Sequence, residues 1–189
     1  MATKILCFSG STRKDSLNLK LASAAAASAS KQGAVATLIN LDDFQMPLYN
    51  GDDEKANALP EKAVALKEIF LAHDGLLIAS PEYNGFFSPL LKNTIDWLSR
   101  PDPGLPDQPS AFAGKVAGLL AASPGGLGGL RGLSPLRVLL SGIGVTVVPA
   151  QLAVPAAHEK LSTKGITEDA TMAKLDDVIK AVMGCSVRL

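Results

Sequence analysis

The sequence predicts an α/β fold in which a doubly wound, five-stranded parallel sheet of strand order 2-1-3-4-5 carries helices on both faces. Short apolar runs alternate with segments of helical periodicity, and parallel neighbours need such crossover connections. Residues 75–79 and 115–122 have the unbroken apolar character of strands that are covered on both faces. With 189 residues and a hydrophobic content of 47%, the chain is expected to form a single domain over residues 1–189.

Short-range patterns predict the first elements. Residues 4–9 form an apolar run that ends in small residues, and residues 16–31 then carry leucine and alanine at helical spacing. Gly33 is placed to end this helix, and residues 34–41 alternate as a second strand does. The polar connector at residues 42–60 is long for a compact domain, and such loops are more often functional than idle.

The same alternation continues to the end of the chain. Helices are predicted at residues 61–72, 90–98, 130–140 and 168–183, and strands at residues 75–79, 115–122 and 145–148. Prolines make residues 101–113 a surface loop. The switch point of this sheet, where ligands bind, is expected between the first and third strands.

Composition limits the class of partner. Eighteen basic residues balance eighteen acidic ones, which is not the electrostatic footprint of a nucleic-acid binder or a basic membrane anchor. Cys7 and Cys185 lie far apart without a CxxC motif or a His/Cys cluster, so neither a disulfide framework nor a metal site is predicted. No uncharged apolar run approaches the roughly 20 residues of a membrane span. We therefore expect a cytoplasmic protein that binds a small molecule.

Three unusual loops are expected to meet at the carboxyl edge of the sheet. The first, residues 9–18, leads into the N-terminus of a helix, where free N–H groups and the helix dipole favour an anion. Its side chains add donors suited to a phosphate monoester, namely Ser9, Ser11, Thr12, Arg13, Ser16 and Asn18. The alternative is that the hydroxyls only cap a helix and that Arg13 is solvated. Dinucleotide and P-loop motifs are absent after the first strand.

The second loop has a composition that suits a flat ligand. Pro81 restricts the backbone and Asn84 and Gly85 tolerate positive φ, so residues 82–84 can direct N–H groups at the edge of a planar ring. The alternative is an ordinary turn before a helix, and for Trp97 we prefer a place in the core. The third loop, at residues 123–129, has four glycines, which let the backbone approach a ligand closely. A tricyclic ring between these loops, with its phosphate in the first, describes a site for flavin mononucleotide (FMN).

Three motifs resemble those of the NADPH-dependent FMN reductase family, which includes chromate and quinone reductases. They are Gly10-Ser11-x-Arg13-x-x-Ser16-x-Asn18, then Ser80-Pro81-Glu82-Tyr83-Asn84 with Leu91-Lys92-Asn93-x-Ile95-Asp96-Trp97-x-Ser99-Arg100, and finally Gly128-Gly129-x-Arg131. The similarity runs from the first strand to the fifth. It implies a flavodoxin-like fold, with FMN as the cofactor and NADPH or NADH as the electron donor.

The resemblance also implies the site residues and the assembly. The residues expected to bind the cofactor are Ser11, Thr12, Arg13, Ser16, Leu17, Asn18, Pro81, Glu82, Tyr83, Asn84, Ser123 and Gly126. The first loop would hold the phosphate, and the other two would contact the ring, largely through backbone groups. In this family the site lies at a dimer interface, which implies a homodimer or a homotetramer.

The predicted activity is NAD(P)H-dependent reduction of quinones or similar acceptors, such as chromate and azo compounds, in a ping-pong cycle on FMN. No catalytic acid or base is demanded, and Tyr83 is at most an acceptor-pocket residue. His73 and His158 are interpreted as structural or solvated, and Cys7 as a buried strand residue. The alternatives are a flavodoxin-type electron carrier and an FMN sensor. The neutral charge favours the enzyme, since such carriers tend to be strongly acidic.

Overall fold

Five parallel strands form the central sheet of the computed structural model, which describes residues 2–101 and 110–186. These strands are β1 (Lys4–Ser9), β2 (Val35–Asn40), β3 (Gly75–Ala79), β6 (Val116–Ala122) and β7 (Thr146–Val154). Their spatial order is β2-β1-β3-β6-β7, which confirms the predicted order 2-1-3-4-5. The proline-rich loop predicted at residues 101–113 lies mostly at 102–109, outside the described residues.

Helices cover both faces of this sheet, as expected. They are α1 (Leu17–Lys31), α2 (Gly51–Asn57), α3 (Glu61–Leu71), α4 (Pro89–Leu98), α5 (Leu130–Gly142), α6 (Ala157–Lys160) and α7 (Asp169–Ser186). The buried side chains of α1 and α7 pack on one face, and those of α3, α4 and α5 pack on the other. Ser16 and Ser88 cap α1 and α4 by accepting hydrogen bonds from the third residue of each helix.

The core next to α7 leaves no room for larger residues in the middle strands. Gly118 of β6 lies under α7, and a Cβ at this position would come within 2.6 Å of Cγ1 of Val178. Cys7 is fully buried in the same layer, and burial raises the pKa of its thiol to about 12. The interpretation of Cys7 as a buried strand residue is therefore confirmed.

The structure adds elements that short-range patterns did not predict. The connector at residues 42–60 begins within a 3₁₀ turn at Leu41–Phe44 and contains α2, so it is not an irregular loop. The last strand continues past Pro149 to Val154, because a register shift against β6 lets the pairing resume after the proline. Two hairpins complete the fold, β4 (Glu82–Tyr83) with β5 (Phe86–Phe87), and β8 (Leu161–Ser162) with β9 (Gly165–Ile166).

None of the helices in the described ranges has the combination of length and apolar character that crossing a membrane requires.

Candidate functional site

A cleft of about 390 Å³ opens where the three loops meet at the carboxyl edge of the sheet. Its walls are Ser11, Arg13, Asp15, Ser16, Leu17, Asn18, Lys20, Pro81, Glu82, Tyr83, Ala122, Ser123, Pro124 and His158. Nine of the twelve residues that the sequence predicted for the cofactor are in this set. Asn84 and Gly126 line an adjoining cleft of about 380 Å³, to which Glu82 and Ser123 also contribute. Thr12 is exposed and does not line either cleft.

The start of the first loop is fastened to neighbouring elements. The N–H of Gly10 donates to the carbonyl of Ala79 at 3.0 Å, and the hydroxyl of Ser88 donates to the carbonyl of Gly10 at 2.6 Å. A Cβ at Gly10 would lie 2.9 Å from Oγ of Ser88, so this close approach requires a glycine. The loop therefore leaves β1 in one fixed direction.

Two hydroxyls in this loop accept backbone hydrogen bonds. Oγ of Ser11 accepts from the N–H of Arg13 at 3.3 Å, and Oγ of Ser16 accepts from the N–H of Leu19 at 3.2 Å. Both hydroxyls therefore do cap local structure, as the alternative interpretation expected. Because each oxygen acts as an acceptor in these bonds, its own O–H remains able to donate to an anion in the cleft.

The N-terminus of α1 offers further donors. Within the described residues, the N–H groups of Leu17 and Asn18 form no hydrogen bond, as is usual for the first turn of a helix. Oγ of Ser9, at the end of β1, is also buried without a partner among the described residues, but Ser9 does not line the cleft. Free N–H groups at a positive helix end are the features of an anion site.

Asn18 has a role that its motif did not reveal. Its amide nitrogen donates to the carbonyl of Ala122 at 2.9 Å, and its amide oxygen accepts from the N–H of Ala122, also at 2.9 Å. Both bonds are buried, and they join residues 104 positions apart in the chain. The side chain of Asn18 thus ties the first loop to the end of β6, where the third loop begins.

The second loop is a two-residue hairpin. Asn84 and Gly85 form its turn with φ of 54° and 83°, which confirms the expectation of positive φ at both positions and matches a type I′ turn. The sequence predicted a loop here and missed the short β4–β5 pairing. Tyr83 is 48% exposed at the rim of the cleft, beyond the restrictive Pro81.

Glu82 fixes this hairpin to α5. Its carboxylate accepts from Nε of Arg131 at 2.7 Å and from the backbone N–H of Arg131 at 3.1 Å, at the positive end of that helix. The carboxylate is 10% exposed, whereas the Arg131 side chain is 66% exposed. The side chain of Glu82 is therefore already paired with Arg131, and both residues line the adjoining cleft.

The glycine-rich third loop is joined to the chain after β7. The N–H of Ser123 donates to the carbonyl of Val154 at 3.2 Å, and the N–H of Ala157 donates to the carbonyl of Ser123 at 3.1 Å. Gly128 has φ of +62°, and a Cβ there would lie 2.5 Å from the carbonyl carbon of Val154. This wall of the adjoining cleft is therefore built by backbone contact that only glycine permits.

The connector is held by α4. Nε1 of Trp97 and Nδ2 of Asn93 both donate to the carbonyl of Pro47, at 2.8 and 2.9 Å. The amide oxygen of Asn93 accepts from the N–H of Tyr49 at 2.7 Å. Trp97 is 1% exposed, which confirms its place in the core, whereas Leu48 is 80% exposed.

Comparison with known proteins agrees with this geometry. The sequence model of NADPH-dependent FMN reductases matches residues 3–159. The chain belongs to this family. The enzyme is therefore an NAD(P)H-dependent oxidoreductase with FMN as its cofactor and a flavodoxin-like fold.

Individual relatives show how far the similarity extends. This chain is 41% identical over 143 residues to an NAD(P)H-dependent FMN reductase of Pseudomonas aeruginosa. The match covers 72% of this chain and 69% of the other. It is 37% identical over 137 residues to a quinone reductase of Escherichia coli, with the same two coverages of 72% and 69%. The solved structure of FerB, a flavoenzyme NAD(P)H:(acceptor) oxidoreductase from Paracoccus denitrificans, is 27% identical with a TM-score of 0.83, covering 99% of this chain and 98% of the other.

His158 lines the cleft, a position that the sequence analysis did not assign to it. Its side chain is 58% exposed, which agrees with its interpretation as a solvated residue. The preceding Ala156 has φ of 45°, an unusual value for a residue other than glycine, and it turns the chain into α6. The chain has no motif around His158, so only the packing of α6 reveals its place. His73, in contrast, is buried between the carbonyl of Ile69 and the hydroxyl of Thr37, as a structural residue would be.

Proposed function

We propose that this enzyme binds FMN in the cleft and passes electrons from NAD(P)H to quinones or similar acceptors, including azo compounds and chromate, in a ping-pong cycle. The observation that carries the proposal is the meeting of anion donors and two backbone walls in one cleft. FMN supplies the hydride-accepting chemistry when it is bound. The exposed rim at Tyr83 offers one opening for both donor and acceptor, which is why they are expected to take turns.

The first loop is proposed to hold the phosphate of FMN. The hydroxyls of Ser11 and Ser16 and the N–H groups of Leu17 and Asn18 converge there, and Arg13 supplies a positive charge. Charge-assisted bonds from such groups are the strong ones. Thr12 remains a candidate through its backbone, although its exposed side chain does not line the cleft.

The other two loops are proposed to hold the ring. Pro81, Glu82 and Asn84 would present backbone groups on one side, and Ser123 and Gly126 would do so on the other. Backbone N–H groups near the pyrimidine edge would stabilise negative charge that develops on reduction. The engagement of the Glu82 carboxylate by Arg131 supports contact through backbone at this residue.

Replacing Arg13 by alanine is expected to weaken FMN binding by on the order of 1.5–3 kcal/mol, because a charge-assisted phosphate contact is lost. Its guanidinium forms no bond within the described residues, so the folded protein should keep its stability. Fluorescence titration of the apoprotein measures the dissociation constant. Riboflavin is the matched control, since it lacks the phosphate and should bind both proteins equally. An unchanged FMN affinity would show that Arg13 is merely solvated.

A reductase, an electron carrier and an FMN sensor differ in one experiment. Anaerobic addition of NADPH or NADH to the FMN-loaded protein should bleach the flavin absorbance of a reductase and leave that of a carrier or sensor unchanged. Subsequent addition of a quinone should restore the colour, and initial-rate patterns with both substrates varied should give the parallel lines of a ping-pong cycle. Intersecting lines would contradict the cycle but not the reductase activity.

A cytoplasmic location is proposed as well, supported by the two free cysteines.

A homodimer or homotetramer is proposed from the apolar surface around the cleft. Leu48, Phe86, Leu127 and Leu130 are all more than 40% exposed, and they belong to the connector, the hairpin, the third loop and the start of α5. Phe86 and Leu127 lie in the two loops that bound the clefts, and exposed apolar residues of this size support an interaction surface there. A second copy that covers them would also border the flavin.

Replacing Phe86 by aspartate is expected to convert the assembly into monomers at micromolar concentration, because a charge would be buried in the interface. Phe86 is 59% exposed and does not line either cleft, so folding and FMN binding should persist. Val35→Asp is the matched control, since Val35 is also 53% exposed but begins β2 at the opposite edge of the sheet. Sedimentation velocity gives the oligomeric state. A wild-type monomer, or equal assembly of both variants, would contradict this interface.

A further inference from the structure

A second cavity, larger than the flavin cleft, lies beside α1 and has a volume of about 690 Å³. We call it the α1 groove. It is bounded by one flank of α1, by the end of β2 and by the turn of the β8–β9 hairpin. We infer that the α1 groove binds the adenosine 2′-phosphate end of NADPH. This inference rests on the proposed function and adds to it the choice between NADPH and NADH.

The floor of the α1 groove is apolar. Leu19, Ala24 and Ala27 of α1 form one side, and Leu38 of β2 forms the other. Leu38 is 42% exposed, and β2 is an edge strand that pairs only with β1. A flat purine would cover this surface, as aromatic ligands do in sites that combine an apolar floor with a few polar groups.

The rim of the groove carries charges that suit a nucleotide. The ammonium groups of Lys14, Lys20 and Lys164 line it, and within the described residues none of them forms a hydrogen bond or an ion pair. The carboxylates of Asp15 and Asp43 line it too. The ammonium groups can donate to the phosphates of a nucleotide. The carboxylates can accept hydrogen bonds from the adenine amine and the ribose hydroxyls. A simple anion would bind to the lysines and leave the two aspartates without a role.

The groove is continuous with the flavin cleft. Asp15, Ser16 and Lys20 line both cavities, so the two meet around the N-terminus of α1. A dinucleotide with its nicotinamide over the flavin could therefore lay its diphosphate past Lys20 and its adenosine in the groove. The proposed phosphate loop of FMN and the proposed adenosine site thus share one helix end.

Lys164 is the residue that the geometry assigns to the 2′-phosphate. It lines the α1 groove from the β8–β9 hairpin, which contributes no residue to the flavin cleft, whereas Lys14 is adjacent in the chain to Arg13 and Asp15 of that cleft. The N–H of Lys164 donates to Oγ of Ser162 at 3.1 Å, and that hydroxyl donates to the carbonyl of Gly165 at 3.2 Å. These bonds define the turn that carries the ammonium group.

The test replaces Lys164 by glutamine and compares the two donors. The KM for NADPH is expected to rise about five- to tenfold while the KM for NADH stays within about twofold, because only NADPH carries the 2′-phosphate. Lys180→Gln is the matched control, since this exposed lysine of α7 does not line either cavity. Raising the ionic strength should increase the KM for NADPH in the wild type and less so in the variant.

A binding measurement makes the inference independent of turnover. Calorimetry on the FMN-loaded protein should show 2′,5′-ADP binding about fivefold or more tightly than 5′-AMP, with the difference lost in Lys164→Gln. Equal effects of the variant on both nucleotides, or no binding of 2′,5′-ADP, would overturn the assignment. If instead neither dinucleotide reduces the flavin while 2′,5′-ADP still binds, the proposed function fails and the nucleotide site remains.

Discussion

Replacing Gly128 by alanine is expected to lower the stability of the protein by about 2–4 kcal/mol and to abolish detectable FMN binding. The added Cβ would lie 2.5 Å from the carbonyl carbon of Val154 and 2.6 Å from the nitrogen of Pro155. Both are backbone atoms, which cannot rotate away as a side chain does. The φ of +62° adds a conformational cost that glycine does not have. The third loop must therefore move off the strand that supports it.

Thermal unfolding of the apoprotein measures the first effect, and fluorescence titration with FMN measures the second. For a chain of this size the melting temperature should fall by about 5–12 °C. Gly126→Ala is the matched control for stability, because nothing lies within 4 Å of a Cβ at that position and its φ is not positive. Similar melting temperatures for both variants would show that the contact with Val154 relaxes at little cost.

Replacing Asn18 by alanine is expected to have the second largest effect, a loss of about 2–4 kcal/mol of stability together with weaker binding of FMN and of riboflavin. The variant leaves the N–H and the carbonyl of Ala122 buried without their partners, and each unsatisfied group costs about 1–3 kcal/mol. It also releases the first loop from the end of β6. A residue that only bound the phosphate would affect FMN alone, so riboflavin affinity separates the two roles.

Asn40→Ala provides the comparison for this variant. Asn40 also accepts a hydrogen bond from the backbone, at 3.1 Å from the N–H of Asp42, but this bond is exposed to water. Its loss should cost about 0.5–1 kcal/mol. Chemical denaturation of the wild type, Asn18→Ala and Asn40→Ala as apoproteins gives the free energies of unfolding. If Asn18→Ala were no more destabilising than Asn40→Ala, the buried bridge to β6 would not be a significant source of stability.

The sequence was sufficient for features that are determined locally. The strands are short apolar runs, the first loop is marked by hydroxyls before a helix, and Asn84-Gly85 is a strong turn signal. Each of these patterns lies within a few consecutive residues, so the strand order and nine of the residues that line the cleft could be predicted.

Features determined by distant pairs could not be predicted in this way. The bridge from Asn18 to Ala122 spans 104 positions, and the bond from Arg131 to Glu82 spans 49. An asparagine at position 18 would be expected from the phosphate motif alone, so the sequence gives no sign that its side chain bonds to Ala122. His158 reaches the cleft only because β7 continues past Pro149 and α6 folds back onto the third loop, and neither event has a local signal. The contacts between the loops at the carboxyl edge of the sheet depend on tertiary packing, which short-range patterns do not encode.

The way in which α4 holds the connector has a consequence for how the surface of this enzyme can evolve. Trp97 and Asn93 bond to the carbonyl of Pro47 and the N–H of Tyr49, which are backbone groups. The side chain of Leu48 takes no part in these bonds and points into water. Mutations at this position can therefore change the exposed surface of the connector while the loop keeps its path. Because the anchoring bonds use backbone and the variable side chain faces water, residue 48 can be substituted widely at little cost to the fold.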